Sequence, residues 1–248
     1  MTEYILLGAI GFLAQLVDGA LGMAFGVIST TAMLSMGMPP AQASAIVHTA
    51  EIFTTAGSAG SHIWNRNVDW RLVARLGVAG VLGAVLGAWV LSNVDATAVR
   101  PFISAYLMLV GGFILFKAWR GVPARDAPAP WVGPIGFVAG FLDASGGGGW
   151  GPVATTTLVG SGHAPRMAVG SVNTTEFFVT IAAATTFFVE LGASPWRELL
   201  ALILGGLLAA PLGGFAVKHI PARVLMVAVG ILVIALSCWQ LARMVKLL

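Results

Sequence analysis

The sequence predicts an all-α integral membrane protein built from two homologous halves. Three observations carry that prediction. Only 9% of the 248 residues are charged and 58% are hydrophobic, against about 25% charged in an ordinary soluble domain. Apolar stretches run at roughly 4–36, 41–60, 72–92, 99–119, 131–160, 166–189, 197–217 and 222–245, and a spanning helix needs about 20 apolar residues. The chain also repeats itself across a polar, Pro/Ala-rich stretch, RGVPARDAPAP, from Arg120 to Pro130. The predicted organisation is a first membrane repeat at 1–120, a cytoplasmic linker at 121–130 and a second membrane repeat at 131–248.

The first segment, 4–36, is too long for one simple span and contains DGALG at Asp18–Gly22. It reads as two half-helices meeting at a break, either re-entrant or discontinuous. Unpaired backbone N–H and C=O groups are intolerable against lipid, so such a break belongs inside the protein or on a cavity. The second segment carries VHTAE, His48 to Glu51 at its end. An acidic residue this deep costs about 2.5–3.5 kcal/mol to insert, which makes Glu51 a candidate for function. The third segment holds Gly83 and Gly87, a GxxxG pair suited to close helix packing. The fourth reads as a plain span.

The fifth segment, 131–160, breaks at LDASGGGGWGP. Four consecutive glycines, Gly146 to Gly149, cost too much helix stability to serve packing alone. The sixth carries NTTE, Asn173 to Glu176, and the seventh and eighth fit single spans. Aligned without a gap, Gly11–Thr55 and Gly136–Thr180 share 16 of 45 positions, and Asp18 falls on Asp143 as Glu51 falls on Glu176, both 125 residues on. His48 aligns with Asn173. Internal repeats of this kind are typical of secondary transporters.

Basic residues set the expected orientation. Arg66, Arg71 and Arg75 follow segment two, Lys117, Arg120 and Arg125 follow segment four, and Lys218 and Arg223 follow segment seven. The positive-inside rule places these connections in the cytoplasm. All three agree if segments one and five enter and return on the same side. Each half is then a re-entrant hairpin plus three spans, and the odd number of spans makes the repeats inverted, with both chain ends outside.

Half-helix N-termini offer free N–H groups and the positive dipole end, which suits an anion. No Arg or Lys lies deep in an apolar segment, so backbone amides and neutral side chains would have to hold one. The candidate substrate-binding set is Gly22 and Gly146, Gly147, Gly148 and Gly149, with the hydroxyls of Thr30, Thr31, Thr49, Thr155, Thr156 and Thr174. His48 and Asn173 complete it, and Trp150 is placed to line or gate the path. Glu51 and Glu176 are the leading proton-coupling candidates, against a purely structural hydrogen bond. For Asp18 and Asp143 two readings stand, a half-helix cap or a substrate or proton role. His48 reads as a proton carrier or a structural helix histidine. Trp64, Trp70, Trp131 and Trp196 read as interfacial anchors.

Other classes fit less well. The single cysteine, Cys238, permits no intrachain disulfide. The N-terminus lacks a basic n-region, so a cleaved signal peptide is not expected. There is no phosphate loop and no HExxH zinc motif. The small net charge of +3 sits between apolar segments and reads as topology, not as a nucleic-acid surface. No cofactor and no resident metal are expected.

With the two GF-initiated segments, the GGGGWGP break, the paired HTAE and NTTE elements and the duplication, nearly the whole chain resembles the sulfite exporter TauE/SafE family, also called TSUP. The resemblance implies a small multi-pass protein of the bacterial inner membrane that transports sulfite, a sulfonate or another small sulfur-containing anion, as an exporter coupled to protons. The first repeat departs from the pattern: Met23 and Ala24 stand where the second has Gly148 and Gly149. Three rivals remain. One is a passive anion channel. The second is a cation exporter, which would want a denser carboxylate cluster or soft ligands. The third is an intramembrane enzyme using Asp18 and Asp143 as an aspartyl pair.

Overall fold

The computed structural model describes residues 2–120, 131–161, 163–219 and 221–246. The linker at 121–130, expected in the cytoplasm, lies outside the described residues. The described residues form ten α-helices and no strand. In the first half these are α1 (Thr2–Leu21), α2 (Phe25–Ser35), α3 (Pro40–Trp64), α4 (Trp70–Asn93) and α5 (Ala96–Arg120). In the second they are α6 (Val132–Gly146), a π-helical turn (Gly151–Thr155) running into α7 (Thr156–Gly160), α8 (Pro165–Leu191), α9 (Trp196–His219) and α10 (Ala222–Lys246). Segments one and five are both broken, into α1/α2 and α6/α7.

Local chemistry repeats with the sequence. α3 and α8 each begin at a proline, Pro40 and Pro165, where the missing N–H costs nothing. The turn after α1 places Gly22 at φ +65°, and the turn after α6 places Gly147 at φ +73°. That left-handed conformation is one glycine reaches without penalty. Asp69 caps α4, accepting from Arg71 N at 2.9 Å and Leu72 N at 3.3 Å.

Four helices among the described residues, at 70–93, 96–120, 167–191 and 223–244, are long and apolar enough to cross a membrane. α3 has the length, at 25 residues, but carries polar groups, and these turn inward: His48, Glu51, Thr54 and Thr55 are all buried. The outside is the reverse of a soluble protein. Val78, Leu82, Phe102, Leu109 and Leu208 are exposed, an apolar surface suited to lipid and not to water. Trp64, Trp70, Trp131 and Trp196 are exposed at helix ends. The protein is a multi-pass membrane protein.

The halves interlock. α1 packs on α9 and α6 packs on α4. Gly11 lies against the carbonyl of Leu202 as Gly136 lies against that of Leu76. Gly83 and Gly87 meet the α6 backbone at Phe137 and Phe141, a close approach that small residues allow. Along this contact Leu76 faces Gly136, Gly80 faces Gly140 and Gly87 faces Phe141, so α4 and α6 run parallel. α5 and α10 run antiparallel: Ser104 bonds Gln240 at 2.8 Å, Met108 meets Cys238, and Gly111 meets Gly230. α4 and α8 run parallel, from Asp69–Ser171 through Gly77–Thr175 to Asn93–Glu190.

Candidate functional site

The two helix breaks meet at the centre of the molecule. Gly26 packs against Gly148, and at the equivalent place in the other half Gly151 packs against Met23. Thr30 fills the space beside Gly147, and its repeat counterpart Thr155 reaches the carbonyl of Gly22 at 3.5 Å.

Each break is spanned by its own aspartate. Asp18 Oδ1 accepts from Ala24 N at 2.8 Å and Phe25 N at 3.3 Å. Asp143 Oδ1 accepts from Gly149 N at 2.8 Å and Trp150 N at 3.0 Å. Every member of the second set lies 125 residues after its counterpart. Each carboxylate thus satisfies N–H groups that would otherwise be orphaned where the next helix begins, and faces that helix's positive end. Of the two readings of the aspartates, the geometry carries the cap.

Beyond the caps the halves differ. His48 Nε2 lies 3.2 Å from Asp143 Oδ2, while His48 Nδ1 lies 2.8 Å from the carbonyl of Ser44. Both ring nitrogens face acceptors, the pattern of an imidazolium donating twice. Asn173, the counterpart of His48, lies beside Gly22 at the first break, and its Oδ1 is buried without a partner.

Between the breaks is a cavity of only ≈10 Å³, lined by Asp18, Glu51, Asp143 and Glu176 together with Phe25 and Pro152. It is about the size one water requires, smaller than any oxyanion. Glu51 is buried and its Oε2 has no partner. The four acids singled out in the sequence therefore share one chamber. The sequence argument against a cation, that no dense carboxylate cluster exists, does not hold: ligand atoms of His48, Glu51 and Asp143 all lie within 4.8 Å of one another.

The structure corrects several expected roles. The amides of Gly147, Gly149 and Trp150 already donate to Asp143, so in this conformation they are not free to hold an anion. The glycines are closely packed by their neighbours, although Gly148 and Gly149 do line the central cavity. A side chain at Gly146 or Gly149 would meet Tyr106, one at Gly147 would meet Thr30, and one at Gly148 would meet the backbone of Val27 at 2.7 Å. Trp150 is no gate here: it is fully buried, donates its indole N–H to Val172 O at 3.2 Å, and packs where Gly80 leaves room. The hydroxyls of Thr31, Thr156 and Thr174 bond back to carbonyls of Val27, Pro152 and Gly170. Thr49 bonds Ala45 O and lines a separate groove with Thr185 and Phe188.

Two residues at the site went unnoticed in the sequence. Tyr106 O–H donates to Gly148 O at 3.3 Å, and Ser44 Oγ donates to Ala144 O at 2.8 Å. Tyr106 had a signal: it is one of two tyrosines in the chain and stands alone in an apolar span.

An all-helical membrane protein whose halves meet at paired helix breaks has the construction of a transporter. A sequence model of the sulfite exporter TauE/SafE family matches residues 7–239, and the chain belongs to that family. It is 41% identical over 239 residues to the probable membrane transporter protein YtnM of Bacillus subtilis (strain 168), covering 93% of this chain and 80% of that one. A probable membrane transporter protein of Haemophilus influenzae is 25% identical over 218 residues, covering 84% and 82%. No solved structure matches the chain.

Proposed function

We propose that the protein is a secondary transporter, not an enzyme, that exports a small sulfur-containing anion such as sulfite or an organosulfonate across a bacterial inner membrane. Protons on the chamber acids are part of its mechanism. The family supports the substrate class. The observation that carries the mechanism is the convergence of Asp18, Glu51, Asp143 and Glu176 on one buried cavity. Repulsion between an anion and a carboxylate about 4 Å away costs about 4 kcal/mol at an effective dielectric near 20. An anion can enter only if protons neutralise the acids. Asp143 already has His48 opposite it, and both aspartates are held by backbone amides. Glu51 and Glu176 remain as the acids to be neutralised, and anion and proton then occupy the chamber together.

The inverted arrangement is part of this reading. α5 and α10, equivalent helices, run antiparallel. α4 runs parallel to α8, whose own counterpart α3 is joined to α4 by a short turn and so runs the other way. α1, parallel to α9 through Gly8–Ala201, Gly11–Leu202 and Gln15–Gly206, then descends with α3. α2 must return to the side from which α1 entered, as a re-entrant hairpin does. The small volume of the cavity supports a carrier over an open channel.

The test is flux of sulfite in proteoliposomes under an imposed pH gradient at zero membrane potential. Coupled flux is expected; flux indifferent to the gradient would remove the protons from the mechanism. A second reading, cation transport, is favoured by the ligand spacing of His48, Glu51 and Asp143. Sodium- or zinc-dependent flux without added sulfite would select it.

A further inference from the structure

At the end of α2, away from the chamber, lies a cavity of ≈100 Å³ lined by Leu34, Ser35, Arg100, Gln240 and Arg243 among others. It brings together two guanidiniums, one from α5 and one from α10. Among the described residues neither is in an ion pair. Arg100 donates one Nη2 bond to Leu34 O at 2.6 Å, while its Nε is buried without a partner. A neutral carbonyl leaves the Arg100 charge unspent, and Arg243 adds a second. The unsatisfied buried Nε of Arg100 costs free energy, which an anion between the two guanidiniums would offset.

The rest of the pocket is already satisfied and stiff. Gln240 Nε2 donates to Thr31 O and to Ser35 Oγ, both at 3.0 Å, and its Oε1 accepts from Ser104 at 2.8 Å. Ser35 Oγ donates to Thr31 O at 2.8 Å, and Gly37 N meets Leu34 O at 3.1 Å. The carbonyl end of α2 is therefore covered, and the donors left over belong to the arginines. At about 10–15 Å³ per water on this measure, the cavity has room for one small oxyanion with several waters.

The duplication bears on the pair. Counting back 126 residues from Arg243 gives Lys117, which reaches toward Thr156 O of α7 at 3.5 Å. Each short helix thus meets one cation from the other half. The counterpart of Arg100 falls at Leu225 or Met226, so the duplication does not repeat the second cation.

We propose that this cavity is an oxyanion site, separate from the carboxylate chamber, in which Arg100 and Arg243 together hold a sulfate, sulfite or sulfonate group, or the phosphate of a lipid headgroup. The site is defined by equilibrium binding and does not rest on the proton-coupled reading of the chamber. Guanidinium–oxyanion contacts are bidentate and charge-assisted, so losing one should weaken binding about tenfold or more.

Sulfate is the probe, titrated calorimetrically into the intact protein in a non-ionic detergent at low salt. Arg243→Gln should weaken binding about tenfold or more, and Arg243→Lys should fall between. Arg243 is exposed, so these variants should fold, with a thermal melt as the check. Arg100→Gln gives an independent second reading. In parallel, native mass spectrometry reads retention of phosphatidylglycerol against phosphatidylcholine. Arg243-dependent retention of phosphatidylglycerol without sulfate binding assigns the site to a headgroup. A wild-type protein that binds neither, or an Arg243→Gln variant that binds both unchanged, overturns the proposal.

Discussion

His48 and Asp143 face each other across the two halves, Nε2 to Oδ2, at 3.2 Å. The other oxygen of Asp143 holds the amides of Gly149 and Trp150. One carboxylate thus ties a second-half helix break to α3 of the first half. Asp18, its counterpart, holds only its own break by hydrogen bonds.

This double duty separates two substitutions. In Asp143→Asn the amide oxygen can still accept from Gly149 and Trp150, but His48 loses its counter-charge. In Asp143→Ala the cap goes too. Losing a cap costs about 0.5–2 kcal/mol, and each buried group left unsatisfied costs about 1–3 kcal/mol. Thermal melts in detergent should rank wild type above Asn and Asn above Ala. At position 18, where no histidine answers, Asn should cost less than at 143. Equal losses for the two Asn variants would deny the His48 contact any weight.

The glycines divide by what surrounds them. A Cβ at Gly148 would meet Val27 Cα and N at 2.7 Å, whereas one at Gly57 meets nothing within 4 Å. Gly148→Ala should destabilise by about 1–3 kcal/mol through overpacking. Gly57→Ala should be neutral or stabilising by up to about 1 kcal/mol through helix propensity. Gly83→Ala, which would collide with Phe137 O, should behave like Gly148→Ala. A melting temperature for Gly148→Ala at or above wild type would mean that the breaks do not pack as described.

Much of this was legible in the sequence, and the reason is the duplication. Because Asp18 and Asp143 recur at one offset with Glu51 and Glu176, the breaks and the chamber acids could be named without coordinates. The sequence reads the glycine run as backbone open to a substrate, and in the fold these glycines pack against neighbouring helices while Gly148 and Gly149 line the chamber; a missing side chain looks alike in sequence whether a ligand or a neighbouring helix takes the space. The neighbours, Tyr106 and Val27, are far off in the chain. The arginine cavity was invisible for the same reason: Arg100 and Arg243 are distant in sequence.

Outside the membrane, Asp95 gives a pH test. It caps α5, accepting from Thr97 N at 2.8 Å and Ala98 N at 2.9 Å as well as from the Thr97 hydroxyl. Chiefly through the hydroxyl bond, its carboxyl is held below the ordinary aspartate value. A depressed folded pKa means stability that is present above the unfolded pKa, about 3.9, and lost as pH falls through the folded value. The melting difference between wild type and Asp95→Ala should persist at neutral pH and shrink toward pH 3. A difference independent of pH would show that the charge is not what caps the helix.

The decisive variants are Glu51→Gln and Glu176→Gln. Glutamine has the shape of a protonated glutamate and cannot recharge the chamber. Glu51 Oε2 has no partner, so the Gln amide breaks no hydrogen bond at that atom, and folding should survive. In wild type, anion binding should weaken as pH rises, because each deprotonation adds a charge facing the substrate, worth several kcal/mol at close range. The double Gln variant should bind sulfite with little pH dependence, more tightly than wild type at alkaline pH. Its flux should lose most of its response to an imposed pH gradient, since neither glutamate can then carry a proton. The single variants should retain part of the response, and their inequality would report the asymmetry of His48 against Asn173. Binding and coupled flux that keep the wild-type pH dependence in the double variant would reduce both glutamates to structural residues and leave Asp18 to be tested next.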